Sequence, residues 1–286
     1  MCSMSEMIHR FSACLLGLVL TAPLFAGPCP DTLRFADTGI EGAEELQRAY
    51  TEFVDLLSEL TGLEVRFFPV GSRTTAVNAL RFRQVDVVLA GPTEYLLMQQ
   101  RMPGIQALAA IVRPQYSSVF IVPDDSPVRS LSDLKGRHVA MKDHGSTTGH
   151  IIPSYMLHQA GLDLDRDVRI SLIDGARMAA LASGEVDAVG TGIRDFAPFV
   201  ERQSRAYRII AESDNMPGDP IVAGAHIDAA CAAFLTEILL ANDQPLLQAI
   251  LNPGRRDKYQ TASLIAVEAS DYDQVRAAMA LLGLLR

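Results

Sequence analysis

The sequence predicts an α/β protein folded as two lobes, with mixed sheets flanked by helices. Three observations carry this. Strand-like and helix-like segments alternate almost throughout, as they do when helices cover the faces of largely parallel sheets. The joins are short, and no internal repeat or low-complexity linker separates them. Two polar, Pro-bearing stretches interrupt the alternation, and there the chain can pass from one lobe to the other.

The elements follow in order. Thr32–Ala36 is a short extended run and Leu63–Val70 another. Between them Leu46, Tyr50, Phe53, Val54, Leu57 and Leu60 recur at spacings of three and four, the stripe of an amphipathic helix. Val85–Ala90 is a compact apolar strand, and Gly91-Pro92 turns the chain behind it. Ile105–Val112, Ser118–Val122, His138–Met141 and Val168–Leu172 continue the strands; helical patterns cover Thr74–Arg83, Thr93–Arg101, Thr147–Gln159 and Arg177–Ser183. Val112–Val119 joins two strands with little room for a helix. Ser213–Pro220, after the strand Tyr207–Glu212, is the second crossing. A helical C-terminus, Asp228–Leu251 and Asp271–Leu284, then returns to the first lobe. The expected division is residues 27–114 plus 215–286 for the first lobe and 115–214 for the second, with a cleft between them.

The first 26 residues read as a cleaved secretory signal: Arg10 precedes an uncharged stretch from Phe11 to Ala26, with Pro23 near its end. That stretch is shorter than the ~20 residues that cross a bilayer as a helix. The competing reading is a buried N-terminal helix. Export to the periplasm leaves Cys29 and Cys231 in the mature chain. An oxidising compartment permits them to pair, but spacing alone does not bring two Cα atoms into disulfide range.

Of 286 residues, 49% are hydrophobic, which suffices for a packed core. A net charge of -9 argues against a general binder of nucleic acid or anionic lipid, which need basic surfaces. It leaves room for a small anion, since one pocket can oppose the global sign. Catalytic signatures are missing. In Gly145–Gly149 the Ser comes second, so this is no nucleophile elbow. Neither a Walker loop nor a Gly-x-Gly-x-x-Gly follows a strand. His138, His144, His150 and His158 do not have zinc-site spacing. The expectation is no enzyme, no metal and no cofactor.

Five runs occur in an order that resembles a known family: Gly71-Ser-Arg-Thr-Thr-Ala-Val-Asn-Ala-Leu80, Gln84-Val-Asp-Val87 with Gly91-Pro-Thr-Glu-Tyr95, Leu131-Ser-Asp-Leu-Lys-Gly136, Asp143-His-Gly-Ser-Thr-Thr-Gly149 and Ala182-Ser-Gly-Glu-Val-Asp-Ala188. They are similar to the periplasmic substrate-binding proteins of phosphonate, phosphite and phosphate ABC importers. The resemblance implies a type II periplasmic binding protein, monomeric, that captures a small tetrahedral oxyanion for an ABC permease. Its alternative is a sensor presenting an oxyanion such as arsenite or phosphate to a histidine kinase. Arsenite favours thiolates, and neither mature cysteine falls in an expected ligand loop.

Ser146, Thr147 and Thr148 place three hydroxyls at a helix start, beside unpaired N–H groups and the positive end of the helix dipole. Ser146 is expected to cap that helix. Such a place holds a tetrahedral oxyanion without lysines. Arg73 stands where the family often has Tyr; it is either a bidentate oxyanion ligand or a solvated arginine at a helix start. Tyr95 resembles the family's ligand-facing Tyr. Thr38 and Gly39 follow the first strand, and Thr191 follows a second-lobe strand. The family often has an acidic residue near Thr191, and its absence there argues against a ligand amine.

Overall fold

The computed structural model describes residues 28–38, 43–251 and 259–285. The expected signal, residues 1–26, lies outside the described residues. Two separate sheets form rather than one.

The first sheet contains β1 (Thr32–Asp37), β2 (Glu64–Phe67), β3 (Val87–Leu89), β4 (Gln106–Val112), β10 (Asp219–Ala223) and β11 (Ser263–Ile265). Its strand order is β11-β4-β10-β3-β1-β2. The second contains β5 (Ser118–Pro123), β6 (His138–Met141), β7 (Arg169–Leu172), β8 (Ala188–Gly192) and β9 (Tyr207–Glu212), in the order β7-β6-β8-β5-β9. Parallel pairing holds where a helix joins the strands, as in β1–β2, β1–β3, β6–β7 and β6–β8. The crossing strands pair antiparallel, β10 with β3 and β4 and β5 with β8 and β9. Each sheet is therefore mixed: a strand arriving from the other lobe enters against the local direction.

The helices behave as the apolar spacing demands. In α1 (Ala43–Thr61), Leu46, Tyr50, Phe53, Val54 and Leu57 are all buried. They pack on one face of the first sheet with Leu235 and Leu239 of α7 (Ala229–Ala241) and Leu246 and Leu247 of α8 (Asp243–Leu251). Each such side chain contributes roughly 1.5–3 kcal/mol by leaving water. The other face carries α2 (Arg73–Arg81), α3 (Pro92–Arg101) and α9 (Asp273–Leu281). Ile151 and Ile152, which belong to the second lobe, are buried in that same cluster, so an apolar contact joins the lobes. The second sheet has its own two cores, one around Phe120, Val139 and Leu157, the other around Ile121, Leu181 and Phe199. The elements α4 (Ile152–Gln159), α5 (Arg177–Ser183) and α6 (Phe196–Val200) supply part of them.

Several elements depart from expectation. The helical stretch Asp228–Leu251 is two helices, because Asn242 ends α7 and Pro245, which donates no N–H, sits in the first turn of α8. β10 begins inside the expected crossing Ser213–Pro220, at Asp219. Gly218 permits it, since a Cβ there would stand 2.8 Å from the Ile111 carbonyl. β11 is short and has no alternating pattern to announce it.

The two crossings run side by side. Met216 N–H donates to the Tyr116 carbonyl (2.7 Å), Tyr116 N–H to Asn215 Oδ1 (3.2 Å), and Ser213 N–H to the Ser118 carbonyl (2.9 Å). Cys29 and Cys231 are joined in a disulfide, which ties the start of the described chain to α7.

Candidate functional site

A cavity of about 260 Å³ lies between the lobes. Thr38, at the end of β1, reaches it from the first lobe; Ser146, Thr147 and Thr148 reach it from the second. Gly39 lies outside the described residues.

The second-lobe turn is built unusually. Ser146 makes no side-chain cap bond, contrary to its expected role. Instead the chain enters the helix through a π-turn over Thr147–Ile151, with Ile151 N–H donating to the Ser146 carbonyl at 2.9 Å. Pro153 explains the irregularity. It has no N–H to offer the Gly149 carbonyl, and that oxygen accepts from Lys142 N–H (2.8 Å). Gly145 N–H is spent on His150 Nδ1 (3.2 Å). Burial, reinforced by the neighbouring His144, pushes His150 down to about 4, so the ring is a neutral acceptor at pH 7.

Thr147 does more than face the cavity. Its Oγ1 lies 2.9 Å from Thr93 Oγ1, the first turn of α3, so the hydroxyls meet across the lobes. Thr148 is fixed through its carbonyl, which accepts from Ser118 Oγ at 3.0 Å.

Arg73 also spans the lobes. Its Nη1 donates to Glu94 Oε1 (2.5 Å) on α3, and its Nε to Asp143 Oδ2 (2.8 Å) after β6. It lines the cavity, but as a clasped group, which matches neither a guanidinium waiting for ligand nor a solvated helix start. Burial lowers its proton affinity; the Glu94 and Asp143 carboxylates more than offset that and hold it above its ordinary value. Glu94 is pushed up by burial, against the opposing pull of Arg73. Glu94 Oε2 and Asp143 Oδ1 are buried without a partner among the described residues.

Two expected residues are placed elsewhere. Tyr95 is not among the cavity-lining residues; its ring packs edge-on against Tyr272 at 4.8 Å, and its hydroxyl accepts from Gln99 Nε2 (2.7 Å). Two residues are about 200° of helix turn, so with Thr93 facing Thr147 of the second lobe, Tyr95 points away from it, towards Tyr272. Aromatic lining comes from Tyr116 and Tyr259. Thr191 is fully buried in β8 and accepts from Arg177 Nε (3.1 Å) while donating to Asp195. Asp195 itself lines the cavity and is paired with Arg177 at 2.6 Å. An acidic side chain therefore does reach the cavity wall four residues after Thr191, already engaged by Arg177 and Thr191.

Sequence reading missed further lining residues, among them Asp37, Arg113, Lys142 and Asp219. Asp37 accepts from Tyr50 (2.6 Å); Asp219 accepts from Tyr259 (2.8 Å) and from Arg113 (3.3 Å), whose guanidinium lies 3.5 Å over the Tyr116 ring. Lys142, directly before the Asp143–Gly149 run, was the one with a signal. Asp219 and Tyr259 had none, being brought in by a late return of the chain.

The cavity between the two mixed α/β lobes is thus ringed by hydroxyls, cations and carboxylates. A family model described as ABC transporter, phosphonate, periplasmic substrate-binding protein matches residues 38–272. The chain belongs to this family. The phosphonates-binding periplasmic protein of Escherichia coli K12 is 26% identical over 215 residues, covering 71% of this chain and 64% of its own length. The probable ABC transporter phosphite binding protein PhnD1 of Prochlorococcus marinus MIT 9301 is 26% identical over 188 residues, 62% of this chain and 63% of its own. The chain thus spans less than two thirds of the length of these curated relatives. A solved structure of PhnD1 from Prochlorococcus marinus in complex with methylphosphonate superposes with a TM-score of 0.72 at 20% identity, covering 91% of this chain and 100% of that one. The shared architecture is that of the type II periplasmic binding proteins.

Proposed function

We propose that this protein captures a small tetrahedral phosphorus oxyanion, of phosphonate, phosphite or phosphate type, and delivers it to an ABC importer. It acts in the periplasm as a monomer, exported through residues 1–26, and does no chemistry on its ligand. The observation that carries the reading is the Ser146–Thr148 turn on the wall of the interlobe cavity, in a chain of the phosphonate-binding family. Hydroxyls and turn N–H groups suit tetrahedral oxygens, and binding between lobes allows closure to complete the donor set. Thr38 and Gly39 meet the anion from the first lobe. Arg73 holds the lobes together, and the paired crossings at 113–117 and 213–218 act as the hinge between residues 27–114 plus 215–286 and residues 115–214.

Calorimetry of the mature protein with phosphate, phosphite, hypophosphite, methylphosphonate and arsenate tests this. Micromolar or tighter binding of at least one phosphorus oxyanion is expected. No heat and no thermal stabilisation with any of them would reject it.

A further inference from the structure

The cations around the cavity are not equivalent. Arg73 is held by Glu94 and Asp143, and Arg113 by Asp219. Arg194 also has a partner. Lys142 lines the same cavity, and its ammonium carries no ion pair or hydrogen bond among the described residues. The sequence contains only three lysines, Lys135, Lys142 and Lys258. In a chain of net charge -9, this one stands next to the hydroxyl turn.

Its position is built in. The Lys142 N–H is bonded to the Gly149 carbonyl, and the side-chain stem lies across Gly149. A Cβ at position 149 would stand 2.4 Å from Lys142 Cβ and 3.1 Å from Lys142 Cδ. The glycine that closes the Ser-Thr-Thr-Gly run therefore leaves room for the lysine. Lys142 is half-buried, and a cation held there without an ion pair gains when an anion meets it.

We infer that Lys142 is a ligand-binding residue whose ammonium, without an ion pair among the described residues, meets the ligand's charge and makes the site favour dianionic over monoanionic oxyanions. The inference rests on the function proposed above. The turn hydroxyls and N–H groups are neutral dipoles that serve either ionic form; a point charge acts in proportion to the ligand's own charge.

Two measurements test it, both with phosphite and hypophosphite at mildly alkaline pH, where the first is a dianion and the second a monoanion. In calorimetry, Lys142→Met should weaken phosphite at least tenfold and hypophosphite clearly less, while Lys142→Arg stays near wild type. Lysine acetylation of the wild-type protein, read by mass spectrometry, should show Lys142 protected by phosphite. Lys135, 69% exposed and paired with Asp167, is the unprotected reference. Equal loss for both anions, unchanged phosphite affinity in Lys142→Met, or no protection of Lys142 in a wild type that binds would overturn the inference and leave the proposed function standing. A wild type that binds neither these anions nor the wider oxyanion panel overturns both.

Discussion

On the first-lobe wall of the cavity, the charges are already answered: Arg113 meets Asp219, and Arg73 meets Glu94 and, across the gap, Asp143. On the second-lobe wall the turn over residues 146–148 offers neutral hydroxyls, with Lys142 beside it. Asp195 is paired there too, but with Arg177, behind the surface. The contrast separates two tasks. Paired charges fix where the walls stand relative to each other, because breaking such a pair strands a buried carboxylate. In the function proposed above, neutral donors recognise the ligand, because each costs little to leave waiting in water and gains when an oxyanion arrives.

The largest effect should come from Arg73→Ala, which removes the clasp and leaves Glu94 and Asp143 without their cation. A stability loss of about 3 kcal/mol is expected, the lower end for a broken buried pair. Urea denaturation reads it, and the same substitution in a Glu94→Gln background should cost visibly less. If Arg73→Ala leaves the midpoint unchanged and weakens ligand tenfold, Arg73 belongs with the recognising groups instead.

Thr147→Val is next. Deleting a hydroxyl that meets a charged ligand should cost about 1–3 kcal/mol of affinity by calorimetry. Since Thr147 also meets Thr93 across the lobes, Thr93→Val is the companion measurement. Near-native affinity in Thr93→Val together with a loss in Thr147→Val sharpens the division of tasks. Equal losses would show that the hydroxyl serves closure alone.

The smallest effect concerns pH. His150 is held at about 4, below its ordinary value near 6.5, so between those values the unfolded chain binds a proton that the folded chain does not. Stability from this group is present above 6.5 and is lost as pH falls towards 4. The melting temperature should therefore drop less between pH 7 and 5 in His150→Gln than in wild type. An identical drop in both would remove His150 as a support of the second-lobe turn.

Local spacing announced much of the fold. The stripe of α1, the helical run Arg177–Ser183 and the strand His138–Met141 stand where periodicity put them, because burying one face is a demand that every third or fourth residue records. The Ser146–Thr148 run was visible for a similar reason: consecutive hydroxyls beside a glycine are a local signature.

What the sequence determined by itself was therefore the alternation of elements and the hydroxyl-bearing turn. Which side chains share the cavity was decided only in three dimensions. Tyr95 turned to Tyr272 because Thr93, about 200° of helix turn away, faces the second lobe. Asp219 and Tyr259 reached the cleft through a late return of the chain, and Cys29 met Cys231 across 202 residues. Arg73 and Lys142 carry the same charge beside the same cavity, yet of the two only Arg73 is ion-paired among the described residues. No local pattern records that difference, because an ion pair depends on distance in space, and the chain brings its partners together from three separate segments.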